Sequence, residues 1–321
     1  MYLVFDVGAT FIKYAWMTAD GEILEKGKTP TPVPPEKGIE DFLQVLTSIY
    51  DVYKEKGIVE GIAMDLPGQI DVENGIVYGG GGLKYTHGTH LGELLSERCE
   101  GTRVALENDG HAAALAEVWK GNASEATNAC VLVFGTGIGC GIVIDRQIYR
   151  GRDLLAGEIS FCYDDLSRKN IEKINSIDTM HSLEDEYREL PFTWSTKNST
   201  RALCYRVAMA LGLDADAING ERIYELIAQG NEIVTDIMED YYFDIAKYCC
   251  NLYMTLNPDV ILIGGGISAQ PDFIAGIKKY ADKLMKIGRI YDNMKIDVCR
   301  FKNDSNLLGS LFNFKQKYGL I

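Results

Sequence analysis

Two stretches of the chain place glycine beside hydroxyl and charged residues at spacings able to hold phosphate. Asp6, Gly8, Thr10 and Lys13 fall in the run DVGATFIK. Gly8 lets the backbone approach an anion closely. Thr10 offers a hydroxyl and an amide, Lys13 a positive charge, and Asp6 a carboxylate able to organise a hydrated Mg2+. The same residues also describe an ordinary hairpin turn with a surface lysine, and the run alone does not choose between the two. No G-x-x-x-x-G-K-[ST] loop occurs in the sequence. The second stretch contains Gly135, Thr136, Gly137, Gly139 and Gly141. It superficially fits a dinucleotide fingerprint, but that motif must open a helix. Here Ile142-Val143-Ile144 follows, so the glycines join two strands. Gly264, Gly265 and Gly266 end an apolar run. They read either as a tight strand-to-helix turn or as backbone packed against an adenine or ribose. Asp109, in Asn-Asp-Gly, reads by itself as a helix N-cap.

These residues need elements to hold them. Short, β-branched apolar runs predict strands at Tyr2–Val7, Lys13–Met17, Val59–Met64, Val104–Leu106, Ala129–Phe134, Gly141–Ile144, Val260–Ile263 and Ile296–Phe301. Helical spacing of apolar residues predicts helices over Ile39–Lys56, His111–Trp119, Ile237–Thr255 and Asp272–Met285. Their alternation predicts an α/β fold. The chain also repeats itself. FDVGATFIKYAWM has the build of VFGTGIGCGIVI, VEGIAMDLPGQI that of PDVILIGGGIS, and ALENDGHAAALAE that of RFKNDSNLLGSLF. Two related lobes around a central cleft follow, since ligands favour such interfaces. The first lobe is expected over 1–120, joined by a C-terminal helix at 305–321. The second is expected over 121–304, lengthened by a mostly helical insert at about 161–229.

Composition bounds the function. The chain has 321 residues, 32 Lys and Arg against 46 Asp and Glu, and a formal net charge of −14. Non-specific nucleic-acid or anionic-membrane binding needs basic surface and is disfavoured. Nucleotide binding is not, because backbone amides can hold phosphates. The N-terminal run, interrupted by Asp6 and Lys13, has a strand pattern rather than that of a signal peptide. No apolar run is long enough to span a membrane. The eight cysteines include no C-x-x-C pair. They are expected to be buried, reduced thiols of a cytoplasmic protein.

Five ordered motifs resemble the ROK family of bacterial sugar kinases and regulators, within the hexokinase/actin/Hsp70-like ATPase superfamily. Asp6, Gly8, Thr10 and Lys13 meet its first phosphate motif. Glu107, Asn108, Asp109, Ala112 and Ala114 meet Glu-Asn-Asp-x-x-Ala-x-Ala. Gly135, Thr136, Gly137, Gly139 and Gly141 meet the second phosphate motif. Ala156, Gly157 and Glu158 meet Ala-Gly-Glu, and Gly264 to Ser268 meet Gly-Gly-Gly-Ile-Ser. The resemblance implies two duplicated ribonuclease-H-like lobes and transfer of the γ-phosphoryl group of ATP to the 6-hydroxyl of a sugar. It implies that Asp109 is the general base, that Asn108 and Glu158 bind sugar hydroxyls, and that Mg2+ accompanies the nucleotide, near Asp6 and through water. Cap and base are not exclusive roles for Asp109. A homodimer is the assembly implied.

The sequence also departs from the family. Zinc-containing relatives continue Gly-Glu-Ile-Gly-His and then supply a cysteine cluster. Here the run is Gly157-Glu158-Ile159-Ser160-Phe161, and CYDDLSRKNIEKINSIDTMHS has no such cluster. No zinc is expected, with packing taking over its structural work. Many relatives carry Asn-Leu on the sugar side, where this chain has Gly82-Leu83 after Gly79, Gly80 and Gly81. The added room at Gly81 and Gly82, with apolar Phe161, favours a substituent on the anomeric oxygen, as in a β-glucoside such as cellobiose. A glucokinase, an N-acetylmannosamine kinase and a fructokinase are the alternatives. A sugar-responsive repressor is disfavoured because Asp6 follows the first residue too soon for a helix-turn-helix domain. A non-catalytic sensor is disfavoured because Lys13, Asp109 and Glu158 are all retained.

Overall fold

A computed structural model describes residues 1–32, 37–79, 81–164, 166, 193–289, 293–302 and 304–321. Gly80 lies outside the described residues, as do 167–192, which carry most of the segment read as lacking a cysteine cluster. The elements in chain order begin with β1 (Tyr2–Val7), β2 (Phe11–Met17), β3 (Ile23–Pro30), α1 (Ile39–Lys54), β4 (Gly61–Leu66), β5 (Gln69–Asp71) and β6 (Ile76–Gly79). Then come α2 (Leu91–Arg98), β7 (Val104–Asn108), α3 (Asp109–Lys120), β8 (Ala129–Phe134), β9 (Ile138–Ile144) and β10 (Gln147–Ile148). The chain continues through α4 (Trp194–Asn198), α5 (Thr200–Leu211), α6 (Gly220–Ala228) and α7 (Glu232–Leu256). It ends with β11 (Val260–Gly264), α8 (Pro271–Ile287), β12 (Ile296–Val298) and α9 (Ser305–Lys317).

The fold is α/β and duplicated. One five-stranded sheet has the order β3-β2-β1-β4-β7 and the other β10-β9-β8-β11-β12. In the first, β1 pairs antiparallel with β2 and parallel with β4, and β4 pairs parallel with β7. In the second, β11 lies parallel to both β8 and β12, and β10 is antiparallel to β9. The inner strands β1, β4 and β11, and the edge strand β7, are buried at every position. That burial explains their continuous apolar runs in place of alternation.

Two units divide the chain. The first is Met1–Glu125 with Gly141–Ala156 and Asn303–Ile321; the second is Ala126–Cys140 with Gly157–Lys302. Residues 141–156, which the repeat puts with the second lobe, therefore group with the first unit.

In the first unit, Leu3, Phe5, Phe42, Leu43, Leu46 and Met64 share one core. On the sheet, β4 and β1 meet α9, where a Cβ at Gly61 would come within 2.0 Å of the Phe314 ring. A Cβ at Gly309 would lie 1.7 Å from the Ala112 carbonyl oxygen, so only glycine lets α9 approach α3 so closely. In the second unit, Phe134, Trp194, Tyr241 and Phe273 form a buried aromatic cluster. Tyr241 and Tyr242 are core, while Phe243 is exposed on α7. The eight cysteines are free, and Cys162 is exposed, which corrects the expectation that all are buried. Among the described residues no helix is long and apolar enough to cross a membrane.

Candidate active site

The β1–β2 hairpin places its charged residues face to face. Asp6 and Lys13 are register partners, and Lys13 Nζ donates to Asp6 Oδ2 at 2.7 Å. Burial works to lower the Lys13 pKa, but the hydrogen bond and charge of Asp6 outweigh it and raise it. The turn itself is closed by Gly8 N donating to Phe11 O at 3.0 Å. Buried Thr31 pins it from β3's end, its hydroxyl donating to Gly8 O at 2.7 Å and its amide to Thr10 O at 3.0 Å. Thr10 stays exposed at the turn. On the neighbouring loop, Gly81 and Gly82 are exposed, and a Cβ at Gly82 would sit 4.0 Å from the Ala9 side chain. Gly82 and the β1–β2 turn thus share one region of the first unit.

Beside this hairpin runs a row of carboxylates. Asp6 aligns with Asp65 across β1 and β4, and Asp65 with Glu107 across β4 and β7. Asp65 is fully buried, accepting from Ser310 Oγ at 2.8 Å and Asn306 Nδ2 at 3.1 Å on α9. Burial pushes its pKa well above the carboxylate range, and the charges of Asp6 and Asp109 add to that; the two hydrogen bonds pull the other way.

Asp109 begins α3, but it is not the cap. Asn108 takes that position, its Oδ1 accepting from His111 N at 3.1 Å. Asn108 Nδ2 donates to Gly68 O at 3.0 Å, so both ends of the amide are engaged within the fold. Relieved of capping, half-buried Asp109 keeps a single short-range tie, Oδ1 accepting from Gly110 N at 2.8 Å. Burial raises its pKa and Asp6 adds to the rise, against the lowering pull of the Gly110 amide and His111. A carboxylate so placed is a stronger base than a solvated one.

The second unit holds the other glycines. Gly135, Thr136 and Gly266 line a pocket of about 340 Å3, together with Phe134, Arg201, Tyr205, Asp216, Asn219 and Ile267. This volume falls in the range of small-molecule sites. Gly265 lies behind it with φ +93°, where a Cβ would come within 2.0 Å of Phe134 O. Both the left-handed backbone and the close approach require glycine. Gly264 precedes it against Cys299, and neither belongs to the lining. Gly137 stands in the turn before β9, where Ser160 Oγ accepts from Ile138 N at 3.2 Å and donates to Ile138 O at 2.5 Å. Half-buried Glu158 follows Gly157, whose φ of +94° makes the bend. Phe161, three residues on, is 69% exposed.

Several of these residues escaped the sequence reading. Asp65 carried a signal, a lone carboxylate inside the apolar run GIAMDL. Thr31, Arg201, Asp216 and Asn219 carried none, because each reaches its place through tertiary packing. Among the described residues no group of three or more His, Cys, Asp and Glu is arranged to hold a metal ion.

Known proteins are similar to this chain over nearly its whole length. The ROK family pattern matches residues 2–171 and 192–317. A beta-glucoside kinase of Klebsiella pneumoniae is 28% identical over 314 residues, 98% of this chain and 96% of that one. A glucokinase of Halalkalibacterium halodurans is 26% identical over 336 residues, 98% of this chain and 95% of that one. The crystal structure of a ROK family protein from Streptococcus pneumoniae TIGR4 in complex with sucrose aligns with a TM-score of 0.81. It is 29% identical, with 99% of this chain and 100% of that chain covered. With the duplicated sheets, the phosphate turns and a family pattern matched over nearly all its residues, the chain belongs to the ROK family.

Proposed function

We propose that the protein is an ATP-dependent sugar kinase acting on the 6-hydroxyl of a glucose-type sugar, with a β-glucoside such as cellobiose as its best substrate. The observation that carries the reading is Asp109. Asn108 relieves it of capping, and burial raises its pKa toward the range of a useful general base. The kinase names of the K. pneumoniae and H. halodurans relatives support the same reaction class.

In this mechanism Asp109 accepts the proton of the sugar hydroxyl as its oxygen attacks the γ-phosphorus. The new O–P bond forms while the bond to the β–γ bridging oxygen breaks, and ADP leaves with that electron pair. Lys13 and the amides of the turns at 8–10 and 135–137 stabilise phosphate charge. The pocket lined by Gly135, Thr136 and Gly266 takes the adenosine end, with Gly264 and Gly265 shaping its wall. Burial raises the Asp65 and Asp109 pKa values and the charge of Asp6 adds to the rise, a setting that suits a cation. A Mg2+ ion carried with ATP fits near Asp6 through water, where it supplies charge neutralisation for phosphoryl transfer. Glu158 accepts from sugar hydroxyls near the anomeric carbon, and Asn108 bonds sugar hydroxyls through the amide capacity that its two contacts in the fold leave over. A dimeric cytoplasmic protein without zinc completes the proposal.

The β-glucoside preference rests on the open space at Gly81 and Gly82 and on the exposed Phe161 ring, which offers an apolar surface to a second sugar. A sucrose complex of the S. pneumoniae relative supports room for a disaccharide. Coupled-assay kinetics on cellobiose, glucose, fructose and N-acetylmannosamine test it. The highest kcat/KM is expected on cellobiose, and activity confined to N-acetylmannosamine sinks the β-glucoside reading.

A further inference from the structure

Glu107 is a fully buried carboxylate to which phosphoryl transfer gives no task. Its oxygens are divided between two basic side chains. Oε1 accepts from Asn108 N at 2.9 Å and faces His111 Nδ1 at 3.3 Å. Oε2 receives Arg150 Nη2. Burial works to raise the Glu107 pKa, but the His111 hydrogen bond and the Arg150 charge outweigh it and hold the group ionised. Both basic side chains lead to one loop. Arg150 starts it, Ala156 N closes it by donating to Arg150 O at 3.1 Å, and Ala156 O faces His111 Nε2 at 3.4 Å. Gly157 and Glu158 come next in the chain.

Both ring nitrogens of His111 face oxygen atoms, so the ring bridges Glu107 and the Ala156 carbonyl. The charged groups around it are Glu107 of β7, Arg150 beyond β10 and Asp109 of its own helix. The basic residues of the adjoining α9, Lys315 and Lys317, donate to the Ala19 and Val72 carbonyls instead.

We propose that Glu107, His111 and Arg150 form a clasp that positions the Ala156-Gly157-Glu158 turn. These are positioning residues, since their contacts are to one another and to the loop. The inference rests on the kinase reading only for what Glu158 does with sugar.

Hydrogen exchange over residues 150–158 reads the clasp directly, in the wild type and in His111→Asn. After correction for intrinsic rates, exchange over this segment should be about tenfold faster in His111→Asn than in the wild type. Steady-state kinetics with cellobiose read its consequence. In His111→Asn the sugar KM should rise about tenfold, with kcat and the ATP KM within about twofold. Arg150→Lys, which keeps the charge but loses the guanidinium fork, should shift the sugar KM in the same direction. Equal exchange in the two proteins overturns the proposal, and so does a variant that loses protection while keeping its sugar KM. If no sugar is phosphorylated, the kinase reading falls, and the exchange measurement still decides the clasp.

Discussion

The molecule treats acidic side chains in two opposite ways. In the second unit, Asp164 and Asp244 meet Lys197 and Lys247 in a closed ring. Lys197 lies 3.2 Å from each carboxylate, and Lys247 lies 3.0 Å from Asp164 and 3.1 Å from Asp244. The ring ties α4 and α7 to the chain at 164, and Trp194 stacks on Tyr248 at 3.9 Å beside it. This corrects the expectation that packing alone supports the region, for matched charges share the work. In the first unit, Asp6, Asp65 and Asp109 crowd together, and the ion pair formed there is that of Lys13 with Asp6. The Asp164 pKa is lowered by its two lysines against a burial effect, while those of Asp65 and Asp109 are raised. Matched charges build stability, whereas unmatched ones store a demand for a proton or a cation.

Breaking each side of this contrast should have a different outcome. The largest effect is expected for Asp109→Ala. Its kcat should fall by about 10^2- to 10^4-fold, with nucleotide affinity measured by calorimetry little changed. Normal turnover would remove Asp109 as the base. Asp164→Asn should do the reverse, leaving kcat alone and lowering unfolding free energy by about 2 kcal/mol, between the exposed and buried limits for ion pairs. Urea titration at two pH values sharpens this. A lowered folded pKa gives stability that is present above the unfolded value and lost as pH falls through the folded one. The variant should therefore lose less on acidification than the wild type does.

Asp65→Asn should act with the opposite sign. A raised folded pKa favours the fold while the group is protonated, and that contribution is lost as pH rises through the folded value. Removing the charge should raise the melting temperature at pH 7, by about 2–4 °C for each kcal/mol relieved; a lower melting temperature would mean that the carboxylate is compensated. The smallest effect is a displaced acid limb. The fall of kcat/KM on acidification should lie above the ordinary Asp value of about 3.9, because burial and Asp6 raise the Asp109 pKa. Metal analysis should find no zinc, and about one zinc per chain would contradict the reading of the Phe161 segment.

Much of this was legible in the chain itself, for reasons that differ by element. β1, β4, β8 and β11 announced themselves as unbroken apolar runs, and the paired Gly-rich turns exposed the duplication. β3 did not, since ILEKGKTP has no apolar face and gains its conformation by pairing with β2. The Ile296–Phe301 run is strand only to Val298. Asp109 was legible as a helix-start residue, but its reading as the cap was wrong. An Asn followed by Asp offers two capping side chains, and only the backbone angles decide which one caps. The tie of Asn108 to Gly68 O carried no signal, because its partner lies 40 residues away. The pocket residues Arg201, Asp216 and Asn219 lay in a helical insert, where polar residues look like solvent-facing ones until the helices are packed.

The position of α9 has a consequence for synthesis. Asp65 emerges early, in the fourth strand of its sheet, but Asn306 and Ser310, which donate to it, come some 240 residues later. Until they leave the ribosome, the carboxyl has no such donors, and Gly61 and Ala112 face no α9. The second unit, drawn almost wholly from residues 126–302, can complete first. Nascent chains should therefore acquire a protease-resistant nucleotide-side unit before the carboxylate row is assembled, which delays catalysis until translation is nearly finished.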